Sequence, residues 1–76
     1  MSPQKKILVI GSNGQIGTVL TNRLGKLFGF ENVIGSDLRI PEKPTKFIFE
    51  ECSVLDKEKL EFIINKHDIS DVYLLA

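Results

Sequence analysis

The sequence predicts an α/β fold: the N-terminal part of a doubly wound, parallel sheet built in the order β-α-β-β-α-β. Three observations predict it. The apolar run Ile7-Leu8-Val9-Ile10 leads straight into a glycine-rich turn, Gly11-Ser12-Asn13-Gly14-Gln15-Ile16-Gly17. Apolar residues at spacings of three and four follow that turn, the period of an amphipathic helix. Short apolar runs then alternate with a second helical segment, and such alternation signals a parallel sheet with crossover helices.

Each element follows from its residues. Lys6–Ile10 is a continuous apolar strand, the pattern of a strand buried on both faces. Gln15 to about Phe28 reads as a helix whose apolar stripe is Ile16, Val19, Leu20, Leu24 and Leu27. Gly25 weakens its last turn, and Gly29 is a C-terminal stop. Asn32–Asp37 is a second strand. Leu38–Lys46 contains Pro41 and Pro44, cannot be helical throughout, and reads as an extended return. Phe47 to Glu50 or Glu51 is a third strand, with Phe47 and Phe49 as core residues. Asp56 is an N-cap for a second helix, Lys57–Lys66, that buries Leu60, Ile63 and Ile64. Asp71–Leu75 is a fourth strand, and Met1–Gln4 a loose end.

Right-handed crossovers place the two helices on opposite faces and give the strand order 3-2-1-4. The step from the second to the third strand is the demanding one, because parallel neighbours ordinarily need a dozen or more connecting residues. About eight extended residues reach ~26–29 Å, enough to return along a short strand. An antiparallel hairpin is the alternative for this pair.

A chain of 76 residues holds one domain at most. A domain this small buries only about 60% of its unfolded surface and is marginally stable. Ten basic and ten acidic residues cancel. This balance offers no electrostatic case for nucleic acid or an anionic membrane. Lys5 and Lys6 precede an apolar run that stops at Gly11, too short for a signal-peptide core or a membrane span. The single cysteine, Cys52, rules out an intrachain disulfide and fits a reducing compartment. The expectation is a cytoplasmic chain without a targeting segment.

The chemistry sits in the turn. Glycines let the backbone approach a pyrophosphate without Cβ atoms in the way. A helix opening at Gln15 aims its free N–H groups at phosphate charge. Asp37, about twenty positions after Gly17, ends the second strand, where a carboxylate accepts hydrogen bonds from an adenosine ribose. Strand, glycine turn, helix and distant acid together describe a Rossmann-type dinucleotide site, and residues 1–76 form one partial domain of that kind.

The run Gly11–Gly17, with Ser36-Asp37-Leu38-Arg39 downstream and Val72-Tyr73-Leu74-Leu75-Ala76 beyond, resembles the extended short-chain dehydrogenase/reductase family, which includes nucleotide-sugar epimerases. The phrases Gly-Gln-Ile-Gly-Thr, Glu-Asn-Val-Ile-Gly-Ser-Asp and Leu-Asp-Lys-Glu-Lys-Leu look most like its L-threonine 3-dehydrogenase branch. The resemblance runs from Lys6 to Ala76 and covers about the opening quarter of a family member.

That resemblance implies a site. Gly11, Gly14 and Gly17 make the phosphate turn, with Asn13 inside it. Gln15 and Ile16 supply backbone N–H groups to the pyrophosphate. Asp37 holds the ribose hydroxyls and repels a 2′-phosphate, favouring NAD over NADP. Leu38 adjoins it, and Arg39 lies against the adenine or pairs with a phosphate. Family members often carry an aspartate near the end of the third strand for the adenine amino group. Here Ser53, beside Val54, stands at that place and lacks the charge. Leu74, Leu75 and Ala76 end beside the cofactor cleft.

The family's proton relay resembles a tyrosine and a lysine four apart on one helix. Tyr73 is the only tyrosine, no lysine follows it at that spacing, and it reads as a packed strand residue. The catalytic set in these residues is therefore none, and the chain alone is expected to be inactive. His67 reads as a helix C-terminal residue favoured by the dipole. Cys52 reads as an unreactive thiol, and no residues lie at metal-ligand spacing.

The expected function is the NAD-binding N-terminal segment of an oxidoreductase of the L-threonine 3-dehydrogenase type. Its longer parent would take a small-molecule substrate and form a homo-oligomer. The alternatives are a segment of a nucleotide-sugar epimerase or dehydratase, and a non-catalytic dinucleotide sensor. The fourth strand is an apolar edge without charge, proline or bulge, so the isolated chain is expected to self-associate there.

Overall fold

The computed structural model describes residues 5–75. The loose end expected at Met1–Gln4 and the cleft position expected for Ala76 lie outside the described residues. The elements are β1 (Ile7–Ile10), α1 (Gln15–Phe28), a 3₁₀ turn (Phe30–Asn32), β2 (Val33–Asp37), β3 (Ile48–Glu51), α2 (Lys57–Lys66) and β4 (Asp71–Leu74).

All strand pairs are parallel and the sheet order is β3-β2-β1-β4. The short connection between β2 and β3 therefore returns the full length of the strand, as its prolines favour, and the hairpin alternative does not occur. Ile34 pairs with Ile48 and Asp37 with Glu51, so the two strands run level.

Alternation along β1 divides the core. Ile7 and Val9 face α1 and cluster with Leu24 and Val33, with Leu20 and Phe47 packed alongside. Leu8 and Ile10 face α2 and cluster with Ile34, Cys52 and Ile63, backed by Leu60, Ile64 and Ile69. The four β1 residues are at most 7% exposed. At about 25 cal/mol per Å² of apolar surface removed from water, this strand anchors both layers.

The face that α1 buries differs from the expected stripe. Gly17, Thr21, Leu24 and Gly25 point inward. Ile16 and Val19 are each 71% exposed and Leu27 is 66% exposed. Small residues win because the helix lies close to its surroundings. A Cβ on Gly17 would strike the Gly11 carbonyl and the Ser12 backbone, and one on Gly25 would strike the Phe30 ring. Gly25 thus seats that ring as well as loosening the last turn. Gly29 ends the helix with φ 93°, and its N–H returns to the Gly25 carbonyl. The Asn32 amide closes the same end by donating to the Phe28 carbonyl at 2.7 Å.

The second helix keeps its expected start. Asp56 accepts from the Lys59 N–H at 3.1 Å. At the far end His67 is the C-cap, and its Nε2 lies 2.6 Å from Glu50 on β3. Lys66 Nζ reaches the same carboxylate oxygen at 2.9 Å. His67 thus ties α2 to an edge strand, in addition to sitting at the helix dipole.

Tyr73 is the other departure. It is 40% exposed, because β4 is the sheet edge and nothing covers its outer side among the described residues. In place of a crossover helix, the β2–β3 connection is an extended strap. Between this strap and α1 lies a hollow of about 370 Å³, lined in part by Thr21, Phe30 and Phe47.

Candidate functional site

The site lies at the C-terminal ends of the strands, where open parallel sheets place their ligands. β1 delivers Gly11, whose φ of 92° is a backbone state that L side chains rarely adopt. The Gly11 and Ser12 N–H groups both donate to the Ser36 carbonyl, at 2.7 and 3.1 Å, binding the turn to β2. The chain then reverses into α1 with Gly14 as N-cap.

No side chain caps that helix start, and its first turn holds no acidic residue. The amides of Gln15, Ile16 and Gly17 have no intrahelical acceptor. The helix therefore presents uncompensated positive potential, suited to an anion. The glycines divide the work. Gly17 has no room for a side chain, whereas a Cβ on Gly14 would meet only the Gly11 carbonyl, at an ordinary 3.6 Å. The fold requires Gly17 to be bare. It does not require this of Gly14, whose bareness leaves space on the outside of the turn.

Asp37 arrives from β2. Its Oδ2 accepts the Asn13 N–H at 3.0 Å, and its Oδ1 accepts the Arg39 N–H at 3.0 Å. The Asn13 side-chain amide donates to the Arg39 carbonyl at 3.2 Å. The distant acid of the sequence is thus hydrogen-bonded to the glycine turn itself.

A cleft of about 270 Å³ joins these pieces. Gly11, Gly14, Asp37, Leu38, Ser53, Val54 and Leu75 line it, together with Ile10 and Cys52, which sequence reasoning did not assign. Both missed residues stand at the C-terminal ends of parallel strands, and that position was the available signal. Asn13, Gln15, Ile16, Gly17 and Arg39 stand outside the lining. Ser53 Oγ already accepts the Leu55 N–H at 3.2 Å, and its hydroxyl keeps one lone pair and its proton for a ligand. The Cys52 thiol is pushed up by burial, and secondarily by the Asp56 charge, which keeps it protonated and inert.

Among the described residues no group of three or more His, Cys, Asp or Glu side chains is arranged to hold a metal ion. Among them, too, no helix is long and apolar enough to cross a membrane.

Comparison with known proteins agrees with this geometry. Residues 7–76 match the model of the NAD dependent epimerase/dehydratase family. An uncharacterised epimerase/dehydratase of Staphylococcus saprophyticus is 36% identical over 63 residues, covering 79% of this chain and 20% of that protein. The structure of L-threonine dehydrogenase from Clostridium difficile superposes with a TM-score of 0.89 at 40% identity, over 99% of this chain and 24% of that one. The holo form of a GalE-like L-threonine dehydrogenase from Cupriavidus necator gives 0.86 at 38% identity, over 93% and 23%. The chain thus spans about a quarter or less of the length of these relatives. Its match over residues 7–76, and the strand order it shares with these dehydrogenases, establish that the chain belongs to the NAD-dependent epimerase/dehydratase family, as an NAD-binding, oxidoreductase-like domain.

Proposed function

We propose that this chain is the cofactor-binding segment of an L-threonine 3-dehydrogenase-like oxidoreductase, working in the cytoplasm. The observation that carries the reading is the Asp37 carboxylate hydrogen-bonded to the glycine turn and lining the same cleft as Gly11 and Gly14. The likeness to L-threonine dehydrogenases at 38–40% identity supports the substrate class.

When bound, NAD supplies the hydride acceptor. The chain's own residues bind and orient it. The first amides of α1 receive the pyrophosphate, and the bare Gly14 lets it approach. Asp37 accepts hydrogen bonds from the ribose diol, and its charge opposes a 2′-phosphate. Leu38, Val54 and Leu75 supply apolar walls, and the Ser53 hydroxyl oxygen accepts from the adenine amino group. The proton relay and the substrate pocket belong to the rest of a longer protein. No turnover of L-threonine with NAD is expected from these 76 residues alone. NADH formation above a protein-free control would refute that.

Calorimetric titration with NAD and NADP, beside an Asp37→Asn variant, tests the cofactor reading. NAD should bind more tightly than NADP, and the preference should shrink in the variant. Equal affinities for the native chain would overturn it. The family description and the Staphylococcus saprophyticus relative favour a second reading, a segment of a nucleotide-sugar epimerase or dehydratase with the same cofactor role.

A further inference from the structure

We infer that Asn13 is a specificity-determining residue, acting as a positioning residue through a clamp that fixes Asp37 and the chain after it. The inference deepens the cofactor reading above and rests on it. Three hydrogen bonds define the clamp. The Asn13 N–H donates to Asp37 Oδ2, the Arg39 N–H donates to Asp37 Oδ1, and the Asn13 side-chain amide donates to the Arg39 carbonyl. The ring closes across 24 to 26 residues of sequence, between the glycine turn and the exit of β2.

Each bond has a consequence. Two main-chain donors grip the two carboxylate oxygens of Asp37, so its charge is held by dipoles instead of by a cation. The salt bridges among the described residues, Lys5–Asp71, Lys66–Glu50 and His67–Glu50, do not involve it. A carboxylate held this way keeps its negative charge for the ligand, where a paired arginine would cancel it. The third bond anchors the backbone of Arg39, the cation nearest in sequence to Asp37. With that carbonyl tied to Asn13, the chain leaves β2 along one path, and the Arg39 side chain starts from a fixed point. A free Arg39 could follow a 2′-phosphate, because guanidinium groups pair well with phosphate. The clamp thus favours an unphosphorylated ribose twice, by presenting the acid and by restraining the cation.

The residue type matters. An amide donates from its nitrogen at a reach that spans from the turn to the Arg39 carbonyl, and alanine or leucine cannot. The Asn13 main-chain bond survives substitution, so the variants isolate the side-chain bond.

The experiment uses the 76-residue chain as it stands, with Asn13→Ala and the near-isosteric Asn13→Leu beside it. In the ligand-free native chain, the amide proton resonances of Asn13 and Arg39 should shift together as Asp37 ionises. In both variants the Arg39 amide should exchange with solvent several-fold faster. In calorimetric titrations, the ratio of NAD to NADP affinity should fall roughly three- to tenfold in both variants, the loss expected of one neutral hydrogen bond. Native amides that ignore the Asp37 titration overturn the clamp, whatever the nucleotides do. An unchanged affinity ratio in both variants overturns its role in specificity. A native chain that binds neither nucleotide overturns the cofactor reading and the specificity claim with it, while the amide readout still decides the clamp.

Discussion

Gly14 and Gly17 differ by three positions and have different obligations. Gly17 is pressed against the Gly11 carbonyl, so Gly17→Ala forces backbone apart. Overpacking of this kind costs about 1–3 kcal/mol, and denaturant unfolding should show that loss. Gly14→Ala meets only the Gly11 carbonyl at ordinary contact distance, so its cost is that of replacing a favourable N-cap glycine by alanine, below about 1 kcal/mol and smaller than that of Gly17→Ala. Gly14 lines the cleft, so the added methyl takes up space there, and NAD affinity should fall by roughly tenfold, or ~1.4 kcal/mol. Equal loss of stability in the two variants would contradict this division. The motif itself was legible as a string of glycines. Which glycine serves the fold and which the ligand was not, because that depends on where the Ser12 backbone passes. The Asn13–Asp37–Arg39 ring was equally hidden, since hydrogen bonds across two dozen residues leave no periodic trace.

Among elements, α2 offers the clearest handle. Its N-cap is Asp56, and Asp56→Ala should cost about 1 kcal/mol. Its C-terminal end is pinned by Glu50, which accepts from both His67 and Lys66. Those contacts, the His67 hydrogen bond foremost, hold the Glu50 carboxyl below its ordinary value of 4.5 against the opposing effect of burial. A folded-state value below the unfolded one stabilises the protein above pH 4.5, and that contribution disappears as pH falls through the lowered value. Thermal unfolding between neutral pH and pH 3 should therefore show a steeper acid decline for the native chain than for Glu50→Gln. Parallel slopes would exclude the strut. The strands and the sheet order were readable from apolar runs and from the reach of an extended connection. The buried side of α1 was not. Gly17, Thr21 and Gly25 carry no hydropathy signal, so counting apolar residues rotated the helix away from its true contact.

For the whole molecule, β4 is the exposed feature. Val72, Tyr73, Leu74 and Leu75 are between 39% and 62% exposed along one edge of the sheet. Unpaired strand edges with apolar side chains recruit other strands. Sedimentation of the 76-residue chain should show association that rises with concentration, and Leu74→Lys should suppress it. A clean monomer at high concentration would remove this expectation. Tyr73 was misjudged in sequence because a run of apolar residues looks the same in a central strand and at an edge. Position in the sheet is a property of neighbours, which a single segment does not carry.

The strap between β2 and β3 has a bearing on how this domain tolerates change. Crossover helices ordinarily weld one strand to the next, so altering them disturbs two strands together. Here Glu42, Lys43 and Pro44 stand in solvent above an open hollow. Extra residues inserted at that point would have vacant volume to fill and no buried helix to displace. The stretch is a natural graft point, one where a peptide tag or an additional helical turn can be accommodated while Asp37 keeps its place at the end of its strand.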